Sequence, residues 1–186
     1  MEIKNNMGYD VDYIGHFELN KPLTNEHAKF IKDFARTRHY LRVWKPEEEN
    51  GRWFVDPEDK LSPVWNDPEF IEFLNTTKIK NLEKARSEYT TKRWGCIDYN
   101  KTNTGMPDLW CQWIPTDNNW CIIWDGGEKF YHGVEWLEFI IENYLKPWGY
   151  VLNGNVLVKD YGNNESGDGH LIVEDNTVKF IPFENE

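Results

Sequence analysis

Cysteine is scarce and odd in number. Cys96, Cys111 and Cys121 cannot form a closed disulfide framework, and no CxxC spacing or neighbouring histidine marks a metal or redox centre. They read as reduced thiols acting as small buried hydrophobes. Long apolar runs are missing too: nothing approaches the roughly 20 residues of a membrane span, and Met1 to Asn6 lacks the apolar segment of a signal peptide. The expectation is a soluble cytoplasmic protein. Basic residues are outnumbered, 21 Lys and Arg against 32 Asp and Glu, for a formal net charge of −11. A field of that sign repels phosphates and attracts basic partners, which argues against direct binding of duplex nucleic acid. No GxxxxGK[ST], GxGxxG, GxSxG or HExxH string is present, so the usual signals of nucleotide, serine-hydrolase and zincin chemistry are absent.

Aromatic residues, by contrast, are abundant at 16%, with ten tryptophans, so large rings must supply much of the buried surface. Six of those tryptophans fall between Leu109 and Tyr150. Trp110–Ile114 and Trp120–Trp124 are short runs rich in aromatic and β-branched residues, joined by the turn formers Pro115 to Asn119; they predict a hairpin. Both faces of it carry large apolar groups, which places it inside a sheet rather than at an edge. Cys111 and Cys121 would approach one another across it. Asp125-Gly126-Gly127 ends the second strand. Val134, Leu137, Ile140, Ile141, Tyr144 and Leu145 then recur at helical spacing until Lys146-Pro147. Glu128, His132, Glu135, Trp136 and Phe139 fall outside that stripe, side by side.

Towards the amino end, Gly8–Leu19 alternates as a first strand with a change of phase near Gly15. Thr24 is a good N-cap for a helix reaching about Arg38, with His27, Phe30, Ile31, Phe34 and Ala35 on one face. Residues 42–101 read as an irregular insertion. It holds a proline-punctuated excursion from Trp44 to Trp65, a short helix starting near Pro68, and a basic segment from Lys78 to Arg93. That segment would pack through Ile79, Leu82 and Tyr89 and pair its charges with Glu83 and Glu88. Beyond Tyr150, Asn153-Gly154 signals a hairpin between Tyr150–Leu152 and Val156–Val158. Asp175-Asn176 signals a second between His170–Glu174 and Thr177–Ile181. Strands and helices are segregated, so the chain reads as a single α+β domain over residues 1–186, an antiparallel sheet packed by two main helices.

Two functional readings follow. Glu128, His132 and Glu135 would share one side of a helix that begins early enough, and three such ligands on successive turns could hold Mg²⁺ or Mn²⁺ to activate water against an RNA phosphodiester. Asp10 and Asp12, on one side of the first strand, are a further carboxylate pair of metal-holding type. Solvated acidic faces are the commoner explanation of both patterns. His16, His27, His39 and His170 have no Ser or Cys partner at a recognisable spacing and read as structural. The second reading is a binding protein that needs no cofactor. Trp44, Trp53, Phe54 and Trp65, in the irregular excursion, are the aromatic anchors for a basic protein partner, because rings bury much area at little entropic cost.

The segment WDGGEKFYHGVEWLEFIIENYLKPWGYVLNG, Trp124 to Gly154, together with MGYDV, Met7 to Val11, resembles a family of small proteins encoded by phages and prophages. The resemblance covers the first strand and about Asp108 to Phe180; residues between Arg42 and Lys101 lie outside it. The family has no defining active site, so no catalytic role carries over. What the resemblance implies is a mobile-element protein acting in the cytoplasm of a bacterial host. Compact acidic proteins of such elements often counter host defence, including anti-CRISPR inhibitors of the type II CRISPR nuclease or its guide RNA loading. That link is by analogy of genomic habit rather than of residues.

Overall fold

The computed structural model describes residues 11–43, 68–161 and 167–183. Val11–Ile14 (β1) and Phe17–Leu19 (β2) lie antiparallel along one edge of Leu152–Asp160 (β7), and Gly169–Glu174 (β8) lies along the other. The expected first strand is thus present and interrupted at Gly15, where φ is +127°. No change of phase accompanies the interruption. Ile14 faces Leu157 and Phe17 faces Gly154 in one continuous register, so Val11, Tyr13, Phe17 and Leu19 all enter the core.

The largest departure from the sequence reading is at Asn153-Gly154. No hairpin forms there: β7 runs straight through, and Gly154 pairs with Phe17 on one side and Val173 on the other. The cause is crowding between strands. A Cβ at Gly154 would stand 2.9 Å from the His16 carbonyl oxygen, so the glycine serves close approach of two backbones rather than reversal. Asn153 acts at a distance, its Oδ1 accepting from the Asp175 N–H at 2.8 Å. That bond buttresses the expected second hairpin, in which Asp175 (φ +46°) and Asn176 (φ +67°) turn β8 into Thr177–Pro182 (β9).

Trp113–Pro115 (β5) and Cys121–Trp124 (β6) form the expected hairpin, but β5 is the last strand of the order β5-β6-β2-β7-β8-β9, not an interior one. Pro115 has no N–H to give a further neighbour, which suits an edge. Trp113 faces Trp124 and Pro115 faces Ile122, so Cys111 and Cys121 are not opposite one another; all three cysteines are free.

One face of this sheet is covered by Asn25–Arg36 (α1) and Gly133–Ile140 (α4), the latter continuing as a π-helical turn over Ile141–Leu145. Thr24 caps α1 as expected, its hydroxyl oxygen accepting from the His27 N–H at 3.2 Å. Trp136 and Phe139 are buried, contrary to their off-stripe positions. Their rings stand 5.8 and 5.7 Å from that of Phe34, because the helix is held between the sheet and α1 and so buries two sides. Tyr13, Phe17, Trp113 and Phe130 meet edge to face at the centre of the core.

The described part of the 42–101 insertion is regular. Pro68–Thr76 (α2) packs on Leu82–Trp94 (α3) through Phe70 and Tyr89, and Cys96–Thr102 (β4) pairs with Tyr40–Arg42 (β3) in a separate two-stranded sheet. Leu82 is exposed, and Ala85 and Tyr89 bury in its place. Arg86 lies 4.0 Å from Glu83 as expected, whereas Arg93 reaches across to Glu69 of α2. Among the described residues no helix is long and apolar enough to cross a membrane.

Candidate functional site

After β6 the chain enters a loop, Asp125 to His132, that Gln112 organises from beneath. The Asp125 N–H donates to the Gln112 carbonyl at 3.0 Å, the Gln112 side-chain amide donates to the Glu128 carbonyl at 3.0 Å, and the Trp124 indole donates to Gln112 Oε1 at 2.8 Å. Within the loop the Gly127 N–H donates to Asp125 Oδ1 at 2.8 Å. Gly126 supplies positive φ at no steric cost, but Lys129 and His132 also sit at φ +58°, where a side chain is disfavoured. Tertiary packing holds them there. Phe130, between them, is fully buried against Tyr13 and Trp113, and the Trp113 indole donates to the Gly133 carbonyl at 2.7 Å.

This loop and β1 bound a shallow pocket of about 290 Å³ lined by Asp12, Trp124, Gly127, Glu128, Lys129 and Tyr161. Two of the candidate residues from the sequence, Asp12 and Glu128, therefore line one pocket, although one lies on a strand and the other in a loop. Beside them, burial pushes the Asp125 carboxyl above its ordinary value, opposed by the hydrogen bond from Gly127. Carboxylate acceptors beside exposed rings suit a lysine or arginine side chain, whose N–H groups and methylenes find partners together.

His132 and Glu135 go elsewhere. The helix begins at Gly133, so Glu128 lies in the loop before it and shares no helical face with Glu135. His132 Nδ1 stands 3.5 Å from Glu135 Oε1, and both side chains are largely exposed. The three-ligand face expected of Glu128, His132 and Glu135 is thus not formed, and no group of three or more His, Cys, Asp or Glu among the described residues is placed to hold a metal ion. Asp10, Trp44, Trp53, Phe54 and Trp65 lie outside the described residues.

A second polar surface escapes the sequence altogether. The Arg38 guanidinium lies 4.2 Å from the Tyr99 ring centre and 5.5 Å from that of Trp110, and its Nε donates to the Tyr99 carbonyl at 3.2 Å. Beside it, α3 and β4 enclose a groove of about 280 Å³ that includes Arg86, Thr90, Asp98 and Asn100. In the sequence Arg38 looks like a charge complementing the end of α1, and nothing local ties it to residues so far along the chain. Comparison with known protein families, with curated proteins and with solved structures finds no match.

Proposed function

We propose that the chain is a stoichiometric binding protein that occupies a basic surface of a host nucleic-acid-handling protein, most concretely as an anti-CRISPR acting on a type II CRISPR nuclease or on its guide RNA loading. The observation that carries the reading is charge. The chain bears −11, and Lys29, Lys146, Lys159 and Lys179 each already stand beside a carboxylate, so acid in excess is what a partner meets. Such a field speeds encounter with a basic surface and disfavours acidic competitors. Trp120, 48% exposed at the β5–β6 turn, adds ring surface of the kind that anchors interfaces. The choice of target rests on the resemblance to phage and prophage proteins, as does a place in the cytoplasm of a bacterial host.

The alternative, a small nuclease acting on RNA with Mg²⁺ or Mn²⁺, needs Glu128, His132 and Glu135 on one side, whereas Glu128 lies in the loop before the helix that carries Glu135. A titration against guide-loaded and unloaded type II CRISPR nuclease decides between the two, with the RNA examined on a denaturing gel. Inhibition that saturates near one equivalent with intact RNA supports blocking. Shortened RNA at substoichiometric protein would overturn it in favour of turnover, and no effect on either form would remove this target.

A further inference from the structure

The sheet face turned away from α1 and α4 carries a row of side chains in register across four strands. Ile14 of β1 faces Leu157 of β7, Leu157 faces His170 of β8, and His170 faces Ile181 of β9. Ile14 is 54% exposed and Ile181 50%, and Phe183, its ring 5.2 Å from that of His170, is 42% exposed. Antiparallel sheets with one solvated face normally turn polar groups outward. Bulky apolar groups aligned on that face mark a surface that gains by being covered.

The charges around the row indicate what covers it. Lys159 lies 2.9 Å from Asp168 and Lys179 3.5 Å from Glu174, so both lysines of this face are engaged within the sheet. Against these two lysines stand four carboxylates, Asp168, Glu174, Asp12 opposite Lys159 and Glu18 beside His16, so acid is in excess, and Asp12 lines the same pocket as Glu128. A second copy of the chain would bring two charges of −11 together rim to rim. We infer that this face docks a protein segment presenting apolar side chains flanked by lysine or arginine. The inference rests on the binding reading above and names its surface.

The test uses the full chain, labelled with ¹⁵N, and two synthetic probes: a short peptide of alternating isoleucine and lysine, and its isoleucine–glutamate counterpart. The lysine peptide is expected to shift the amide signals of Ile14, Leu157, His170 and Ile181. Its affinity should fall about tenfold or more in the double variant Ile14→Lys/Ile181→Lys. Both positions are half exposed, so the variant keeps its fold, as circular dichroism checks, and Ile181→Ser gives a milder second reading. Equal binding of the glutamate peptide, shifts confined to another surface, or self-association lost in the double variant would each overturn the inference. With the CRISPR nuclease, full binding by the double variant sinks this face and spares the general reading. Failure of the wild-type chain to bind that nuclease, alongside the expected peptide shifts, sinks the target and spares the face.

Discussion

Gly154 of β7 stands against Phe17 of β2 with no room for a side chain between them: a Cβ there would come 3.0 Å from the Phe17 Cα. Its φ of +150° adds backbone strain for any L-residue. Gly154→Ala should therefore cost about 2 to 4 kcal/mol of stability. Urea denaturation would show this as a lower midpoint at unchanged slope. A loss below about 1 kcal/mol would mean that the two strands separate easily.

His39 gives the stability a defined pH dependence. It is 3% exposed, and its Nε2–H donates to the Phe34 carbonyl at 3.1 Å. Burial lowers its pKa from 6.5 to about 3. The folded value is depressed, so between those limits the unfolded chain takes up a proton that the folded chain refuses. This contribution to stability is full above pH 6.5 and shrinks as pH falls towards 3. Between pH 7 and pH 5 the loss from this one group is about 2 kcal/mol. His39→Phe should be less stable at neutral pH yet lose that much less on acidification; an unchanged pH profile would mean that the imidazole becomes charged within the fold.

The α-carbon of Gly133 faces the Tyr13 hydroxyl, and any Cβ added there meets that ring before anything else. Gly133→Ala should destabilise by more than about 2 kcal/mol. Tyr13→Phe removes the first atom struck, so in thermal unfolding the double variant should lose less than the sum of the two, by about 1 kcal/mol. Strict additivity would place the strain elsewhere, at the indole bond from Trp113.

With Glu128 in the loop before α4 and no group of three possible ligands among the described residues, any effect of Mn²⁺ or Mg²⁺ on the melting temperature should be the same in Glu135→Gln as in the wild type. A metal-dependent gain abolished by that substitution would restore the three-ligand arrangement and with it the nuclease alternative.

What the sequence made legible was what neighbours in the chain decide. The Thr24 cap, the stop at Asp125-Gly126-Gly127 and the Asp175-Asn176 turn each depend on a few adjacent residues, and each stands as read. Asn153-Gly154 has the same local chemistry as a turn, but strands from the other end of the chain flank it and keep it extended. Trp136 and Phe139 fall outside the apolar stripe because one stripe describes a helix covered on one side, and α1 covers this helix on a second. Of the candidate site, Asp12 and Glu128 were each visible as carboxylates. That they line one pocket depends on where β1 passes the loop after β6, which no spacing records.

Val11 pairs with Asp160, so the first described strand and its partner enclose almost everything else in the fold. On a ribosome adding about 5 to 20 residues per second, β1 waits roughly 7 to 30 seconds for the strand that completes its hydrogen bonds. During that interval β2 can pair with β6 once that strand appears but has no β7 on its other side. Closing so long a loop also slows the search once the chain is whole. The newborn chain is therefore most exposed to aggregation before Leu152–Asp160 appears, and a premature stop anywhere upstream removes the hub to which β1, β2 and β8 attach rather than trimming an edge.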